Sequence, residues 1–398
     1  MNRRNNKPKD CQFRRNRGMG QVNYGALKEQ IKSYAFSIGI SKIGFTDAEP
    51  LFEHLPLLEQ RINAHYGNAI NEGDREKRIH PTKHMPDAKS VISVAVAYPG
   101  LEKYSPVGQG LPRGRFSFIS RGRDYHAVVR EKLETLIKYI LKAKPESKLM
   151  LMVDKEEILE KALAVKAGLG WFGKNTLLVT PEYGSWVCLG ELVTDIPFPV
   201  DRPMEGKCGT CRACIEACPT NALDKERNLD LDRCLAAVTQ GRTLPDRETR
   251  IQMGINLYGC DICQSVCPHN SRQDKDDKDF AYVYDEAFPL LSEVLGLSNR
   301  EFKKKFGHTS GAWRGRTLVQ RNAVIAAGNV KDEGMVPQLA LILTGDSRQI
   351  MRGAAAWALG QIGGNRALKA LTQAIKHEND PAVLAEIKYC MIHFGNNS

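Results

Sequence analysis

The sequence lacks any uninterrupted run of about eighteen apolar residues, which excludes a helix that spans a lipid bilayer. Its basic start also lacks the apolar segment and the small-residue cleavage site of a secretory signal. We therefore expect a cytoplasmic protein with no membrane partner. At 398 residues, with 42% apolar and 26% charged side chains, the chain is long enough for two or three domains.

The positive charge is concentrated at the two ends. Of a formal charge of +11, residues 1–18 carry +6 and residues 300–398 carry +7, which leaves residues 19–299 at −2. Residues 1–18 are polar and rich in arginine, and the first helical pattern begins only at Tyr24. We interpret residues 1–18 as a disordered extension, so the charge relevant to a polyanionic partner is the C-terminal one.

Eight of the eleven cysteines lie from Cys208 to Cys267, at spacings that argue against a disulfide scaffold in a cytosolic chain. The first run, ending at Pro219, has the C-x2-C-x2-C-x3-C-P spacing of bacterial two-cluster ferredoxins. The second run, which begins at Cys260, has one cysteine fewer, and Cys234 is the only cysteine between the two runs. The eight thiolates therefore suffice for two 4Fe-4S clusters.

In ferredoxins of this kind the fourth cysteine of a run binds the other cluster. The predicted ligand sets are Cys208, Cys211, Cys214 and Cys267 for one cluster, and Cys218, Cys234, Cys260 and Cys263 for the other. The alternative is two structural zinc sites, although zinc ribbons do not have the complete C-x2-C-x2-C-x3-C-P spacing. Cys188 lies in an apolar strand-like run and is interpreted as a core thiol, while Cys11 and Cys390 remain outside the ligand count.

A G-x-G-x-x-G pattern at Gly168–Gly173 raises the possibility of a dinucleotide site. A helical pattern precedes these glycines and a strand-like one follows, which is the reverse of the order that a dinucleotide fold needs. We therefore expect a helix C-cap and a loop that a large ligand approaches closely. Just before that helical pattern, an apolar strand ends at Asp154. Asp154 either faces a ligand or caps the following helix, and the pattern leaves both open.

The sequence resembles the epoxyqueuosine reductases, cobalamin-dependent iron–sulfur enzymes of tRNA queuosine synthesis that are related to reductive dehalogenases. The resemblance rests on Arg121–His126, Val153-Asp154, Ala167–Thr176, Gly184-Ser-Trp186 and the eight cysteines. It implies an α+β protein with a nitroreductase-like α/β cobalamin domain at 19–200, a two-cluster ferredoxin-like domain at 201–298 and HEAT-like repeats at 299–398. It also implies reduction of the epoxide of epoxyqueuosine at the tRNA wobble position, with Asp154 as general acid.

The same resemblance implies that base-off cob(II)alamin is reduced to cob(I)alamin by electrons from the two clusters. The chain lacks the D-x-H-x-x-G motif that supplies a histidine to cobalt, since Asp124-Tyr-His126 begins that way but the glycine is missing. A carboxyl kept neutral by burial would protonate the leaving oxygen. The implied cobalamin contacts are Arg78, Tyr125, Asp154, Lys174, Asn175 and Asp261.

The C-terminal segment has helical periodicity with a repeat of 31 residues between Arg321 and Arg352, which is typical of a short HEAT-type solenoid. Its basic residues predict a surface for tRNA phosphates, or else only a solvated helix face. These residues are Arg300, Lys303, Lys304, Lys305, Arg314, Arg316, Arg321, Arg348 and Arg352.

Two other functions remain open from the sequence: a reductive dehalogenase-like enzyme for a small molecule, and a non-enzymatic electron-transfer or RNA-binding protein. For the tRNA-modifying enzyme we expect a monomer and an unidentified low-potential electron donor.

Overall fold

The computed structural model describes residues 23–63, 74–100, 110–154, 157–223, 227–270 and 278–394. The predicted extension at 1–18, with Cys11, lies outside the described residues. The strands are β1 (Lys42–Asp47), β2 (Ser90–Ala97), β3 (Arg115–Phe116), β4 (Leu149–Met152), β5 (Trp171–Phe172), β6 (Leu178–Val179), β7 (Val187–Thr194) and β8 (Asn256–Tyr258).

An antiparallel sheet of order β1-β2-β7-β4 forms the centre of the first half of the chain. Every residue of β2 is buried, which explains its continuous apolar sequence, because both faces of the sheet are covered. Side chains such as Ile92 and Val94 pack in one core cluster and Val91 and Val193 in another, as expected from the alternation of a strand.

The helices in this half of the chain cover the two faces of that sheet. They are α1 (Tyr24–Ser37), α2 (Leu55–Asn63), α3 (Arg75–Ile79), α4 (Tyr125–Ala143) and α5 (Glu160–Lys166). Buried side chains of α1 and α4 share a core cluster with Ile92, and those of α5 share another with Val91. Helix α5 precedes the glycine motif, and Gly168 has a positive φ of 75° at the helix end, so the predicted C-cap is confirmed.

The cysteine-rich segment contains only short helices. They are α6 (Ala213–Glu216), α7 (Leu235–Val238), α8 (Arg247–Gln252), α9 (Ile262–Ser265), α10 (Tyr284–Ala287) and α11 (Leu291–Gly296). Helices α6 and α9, which contain Cys214 and Cys263, contact one another. Strand β8 pairs in parallel with β3, so this segment is attached by main-chain hydrogen bonds to the chain that leads into α4.

The C-terminal segment is helical throughout its described part. Its helices are α12 (Asn299–Phe306), α13 (Arg316–Val330), α14 (Val336–Gly345), α15 (Gln349–Ile362), α16 (Gly364–Ala374) and α17 (Pro381–Ile392). Their apolar faces share one continuous core cluster, which also takes in Phe116 and Leu257 of the short β3–β8 sheet. None of the described helices is long and apolar enough to cross a membrane.

Candidate active site

The eight clustered cysteines line two separate cavities. Cys208, Cys211, Cys214 and Cys267 line the first, which we call the outer cysteine pocket. Cys218, Cys234, Cys260 and Cys263 line the second, which we call the central cavity. None of the described cysteines forms a disulfide, and among the described residues no three Cys, His, Asp or Glu side chains converge to hold a single metal ion. Each cavity is thus lined by the four cysteines of one predicted ligand set.

The second cysteine run is locked against the sheet domain by a buried hydrogen-bond network. The side-chain amide of Asn270 donates to Ser185 Oγ over 2.9 Å and accepts from the Ser185 amide over 2.7 Å. Gln264 donates to the Ser185 carbonyl over 3.0 Å. Gly184 is required here, because a Cβ at this position would lie 1.9 Å from Asn270 Oδ1. The Gly184-Ser-Trp motif is therefore a docking site for the cysteine loop.

The central cavity has a volume of about 730 Å³. It contains Asp154 and His126 from the sheet domain, Cys218 and Cys263 from the cysteine-rich segment, and Trp313 from the start of the C-terminal helices. A site of this size accommodates a large organic ligand in contact with three parts of the chain. The fold thus brings a carboxylate, an imidazole and four thiols to one chamber.

Asp154 lies just after β4 and is held in an unusual conformation. Its φ of 46° falls in the left-handed region, which costs a non-glycine residue about 1 kcal/mol. Helix α5 begins at Glu160 with Leu159 as N-cap, so Asp154 does not cap it and the capping alternative is wrong. Its carboxylate instead accepts hydrogen bonds from the Tyr125 hydroxyl and, over 3.1 Å, from His126 Nε2.

His126 links two carboxylates. Asp124 caps α4 by accepting from the His126 amide, and the same Asp124 oxygen lies 2.7 Å from His126 Nδ1. These two carboxylate contacts raise the pKa of His126 to about 9, whereas its hydrogen bond lowers the pKa of Asp154. At neutral pH the pair is therefore an imidazolium and a carboxylate. The expectation that burial keeps Asp154 neutral is wrong for this structure, because the hydrogen bond with His126 lowers the pKa of Asp154.

The residues implied as cobalamin contacts fall into two groups. Tyr125, Asn175 and Asp261 line the central cavity together with Asp154. Arg78 lies in α3 and Lys174 lines the outer cysteine pocket, and neither is among the described residues that line the central cavity.

Two of these residues also have structural contacts. Asp261 is buried, and its carboxylate accepts from the Phe118 amide over 3.0 Å, which positions the loop before α4. Asn175 lines both cavities and so separates the two groups of thiols.

The predicted phosphate-binding set requires one clear correction. Arg321 is fully buried, and its guanidinium donates to the carbonyls of Gly241 and Thr243, each over 2.6 Å. It also donates to the carbonyls of Val238 and Thr239 over 3.2 and 3.3 Å. The prediction that Arg321 contacts tRNA is wrong. A buried guanidinium that holds the loop after α7 is a structural element of the cysteine-rich segment.

Several other basic residues of that set already have partners within the chain. Arg352 makes a two-pronged ion pair with Glu378 at 2.7 and 3.0 Å. Arg348 pairs with Asp346 at 2.6 Å, and Lys305 pairs with Glu293 at 2.6 Å. Arg316 donates to the Leu297 carbonyl over 2.9 Å. The residues that remain for a phosphate are Arg300, Lys303 and Lys304, which are exposed on α12, and Arg314 at the central cavity.

Two residues of the central cavity have roles that were not foreseen from the sequence. His126 belongs to the Arg121–His126 segment and to an incomplete cobalt-binding motif, but neither predicts its contact with Asp154; the signal that could have found it is the Asp124-Tyr-His126 start of α4. Trp313 was not singled out, because nothing in the chain near it distinguishes an exposed tryptophan from a core one.

Comparison with known proteins identifies three segments. Residues 78–155 match the family described as "Epoxyqueuosine reductase QueG". Residues 207–270 match a 4Fe-4S double cluster binding domain, and residues 315–391 match HEAT repeats.

The chain is also similar over nearly its whole length to curated relatives and solved structures. It is 41% identical to epoxyqueuosine reductase from Bacillus cereus over 368 residues, which covers 92% of this chain and 97% of the relative. It is 42% identical to the enzyme from Listeria monocytogenes over 372 residues, which covers 92% and 97% of the two chains. A crystal structure of epoxyqueuosine reductase with an epoxyqueuosine-modified stem loop of tyrosine tRNA is 41% identical, with a TM-score of 0.89 and coverage of 93% and 99%.

A structure of the Bacillus subtilis enzyme, in which a catalytic aspartate loop is swung out of the active site, is 40% identical to this chain with a TM-score of 0.90. The match covers 94% of this chain and 100% of that one.

The fold, the two groups of four cysteines and the acid–base cluster of Asp154 and His126 together define an iron–sulfur oxidoreductase. More narrowly, the chain belongs to the epoxyqueuosine reductase family.

Proposed function

We propose that this protein reduces epoxyqueuosine to queuosine at the wobble position of a tRNA. The observation that carries the proposal is the central cavity, where Asp154 and His126 share one chamber with four thiols. Two electrons and two protons convert the epoxide to a carbon–carbon double bond and release water. The reaction therefore needs an electron path and a proton donor at the same place, and the cavity has residues for both.

The electron path is proposed to run through two 4Fe-4S clusters, one in each cysteine group. The match of residues 207–270 to a double cluster binding domain supports this reading over zinc. Cys218, Cys234, Cys260 and Cys263 would hold the cluster that faces the central cavity, and the outer cysteine pocket would hold the other. Asn175 lines both sites, which supports two clusters close enough for one-electron transfer.

The central cavity fits cobalamin in two respects. Its volume of about 730 Å³ is suitable for a large ligand that is partly open to solvent. His126 is the only histidine among the described residues that line it, and both ring nitrogens already contact carboxylates. No imidazole of that lining is then available to cobalt, which supports base-off binding without a protein ligand. Bound there, cobalamin supplies a strongly nucleophilic metal centre that the protein alone lacks.

The proton is proposed to come from His126 through Asp154. At neutral pH the proton sits on His126 Nε2 and is shared with Asp154 Oδ2. Asp154 takes this proton from His126 and passes it to the epoxide oxygen. His126 then takes up the second proton from solvent, and that proton follows the same route to complete the water molecule. Tyr125 donates to the same carboxylate and holds its orientation. In this scheme Asp154 is the group that touches the substrate, and His126 is the proton reservoir behind it.

The RNA is proposed to dock along the exposed part of α12. Arg300, Lys303 and Lys304 extend into solvent there, close in the chain to Trp313 and Arg314 at the central cavity. Phosphate contacts of this kind predict an affinity that falls steeply with salt.

The direct test is anaerobic turnover. Protein reconstituted with iron, sulfide and cobalamin and supplied with a low-potential reductant should convert an epoxyqueuosine anticodon stem loop to the queuosine form, measured by mass spectrometry of the nucleosides. Asp154→Asn is the matched control, because asparagine tolerates the left-handed conformation and keeps the shape of the side chain. It should retain iron and cobalamin but lose turnover. Unchanged substrate with fully loaded wild-type protein would refute the proposed function.

A further inference from the structure

Trp313 is the one exposed tryptophan of the described chain. Trp171, Trp186 and Trp357 are at most 2% exposed, whereas Trp313 is 60% exposed. It follows the short helical turn Ser310–Ala312, at the start of the C-terminal helices. Its side chain lines the same central cavity as Asp154. A single exposed apolar side chain is ordinary on a protein surface, but this one is held in place by a hydrogen bond.

The Trp313 indole is held in a fixed orientation. Its Nε1–H donates to Gln240 Oε1 over 3.0 Å, and the same oxygen accepts from the Tyr258 hydroxyl over 3.3 Å. The turn before it is anchored to the sheet domain, since Ser310 Oγ lies 3.2 Å from Ser120 Oγ. The ring is thus a prepared flat surface at the edge of the cavity.

Arg314 adds a cation to this flat surface. Its guanidinium carbon lies 3.8 Å from the centre of the Trp313 ring, and its Nε is buried without a hydrogen-bond partner. Among the described residues, Arg314 has no carboxylate within ion-pair distance, unlike Arg348 and Arg352. An aromatic ring beside an unpaired guanidinium is the combination that proteins use to bind single-stranded nucleotides.

We propose that Trp313 and Arg314 form a nucleotide clamp. The indole stacks on the base of a nucleotide next to the modified one in the substrate RNA, and Arg314 binds the adjoining phosphate. The clamp would hold the loop open while the modified base enters the central cavity. This inference rests on the proposed function, because it assumes that the substrate enters the cavity as part of an RNA loop. Both residues would be positioning residues and take no part in the chemical step.

The test is a binding cycle that does not depend on turnover. The probes are a fluorescent anticodon stem loop with epoxyqueuosine, and two further stem loops that each have an abasic nucleotide immediately 5′ or 3′ of it. Trp313→Ala should weaken binding of the intact stem loop by about 5- to 150-fold, as loss of one stacked base does, while Trp313→Phe retains most of the affinity. One of the two abasic stem loops should bind the wild type with an affinity that is lower by a similar factor. Trp313→Ala should not weaken the binding of that abasic stem loop any further.

Arg314→Gln should reduce the dependence of affinity on salt by about one phosphate contact. Leu341→Ala removes another exposed apolar side chain, 72% exposed on α14, and should leave binding unchanged. Cobalamin content, iron content and thermal midpoint should be the same in all variants. If wild-type protein binds the intact stem loop but Trp313→Ala weakens all three probes equally, or none, the clamp is refuted and the proposed function stands. If the wild type does not bind the intact stem loop, both are refuted.

Discussion

Replacing Arg321 by alanine should destabilise the cysteine-rich segment without affecting RNA contacts. The guanidinium donates to four carbonyls, but those of Val238 and Thr239 have other partners, the Gly241 amide at 3.1 Å and the Asn322 side chain at 2.8 Å. The carbonyls of Gly241 and Thr243, each at 2.6 Å, have no second partner among the described residues. Two hydrogen bonds to a charged donor, at about 1.5–3 kcal/mol each, give a loss of about 3–6 kcal/mol.

The assay is urea unfolding of the cluster-loaded protein, followed by far-ultraviolet circular dichroism and by the visible absorbance of the clusters. Because the freed carbonyls follow α7, which begins directly after Cys234, cluster absorbance should be lost at lower urea than in the wild type. Arg321→Lys should recover part of the loss, since an ammonium still donates to one or two carbonyls.

Arg300→Ala is a control for which the opposite pattern of effects is expected. Arg300 is exposed on α12, so its removal should leave the unfolding midpoint unchanged and weaken stem-loop binding at low salt. If Arg321→Ala unfolds like the wild type but binds RNA with a smaller salt dependence, the structural role of Arg321 is refuted. That outcome would return Arg321 to the phosphate-binding surface.

Three further outcomes are expected. The kcat/KM of the wild type should fall as pH rises through about 9, because His126 then loses its proton. This decrease at high pH should be absent from the residual activity of His126→Gln. If the variant shows the same decrease, His126 is not in the proton path. Gly184→Ala should lower the iron content and the thermal midpoint, because the added Cβ would collide with Asn270. Gly254→Ala should show only a small loss, because Gly254 has a similar φ of 54° but no atom within 4 Å of the added Cβ. Equal effects of the two substitutions would mean that backbone strain alone is responsible. Cys234→Ala should lose roughly half of the iron, and retention of all eight irons would show that the ligand assignment is incorrect.

The raised pKa of His126 also has a consequence for stability. Because its folded-state pKa of about 9 lies above the usual value of 6.5, the contacts with Asp124 and Asp154 stabilise the fold fully below about pH 6.5. That contribution decreases as pH rises toward 9. The pKa of Asp124 and of Asp154 is lowered, so their contribution is lost in acid instead. The acid–base cluster is thus most stable between these two limits.

The cysteine spacing, the helical repeat and the glycine motif could be interpreted from the sequence because each depends on residues that are near one another in the chain. A C-x2-C-x2-C loop places its thiols together whatever the rest of the protein does. A 31-residue helical period likewise predicts stacked helices, and the structure has them at α13, α15 and α17. The helical pattern before Gly168 argued against a dinucleotide turn, and the structure has helix α5 there.

What the tertiary structure decided is the state and surroundings of single side chains. Asp154 is ionised because His126, 28 residues earlier, lies 3.1 Å from it. Arg321 is buried and Arg352 is paired with Glu378, although by sequence both are basic residues on helices like Arg300. Charge, exposure and pKa depend on neighbours that are distant in the chain, so the sequence could supply the candidate residues but not which of them are free to meet a substrate.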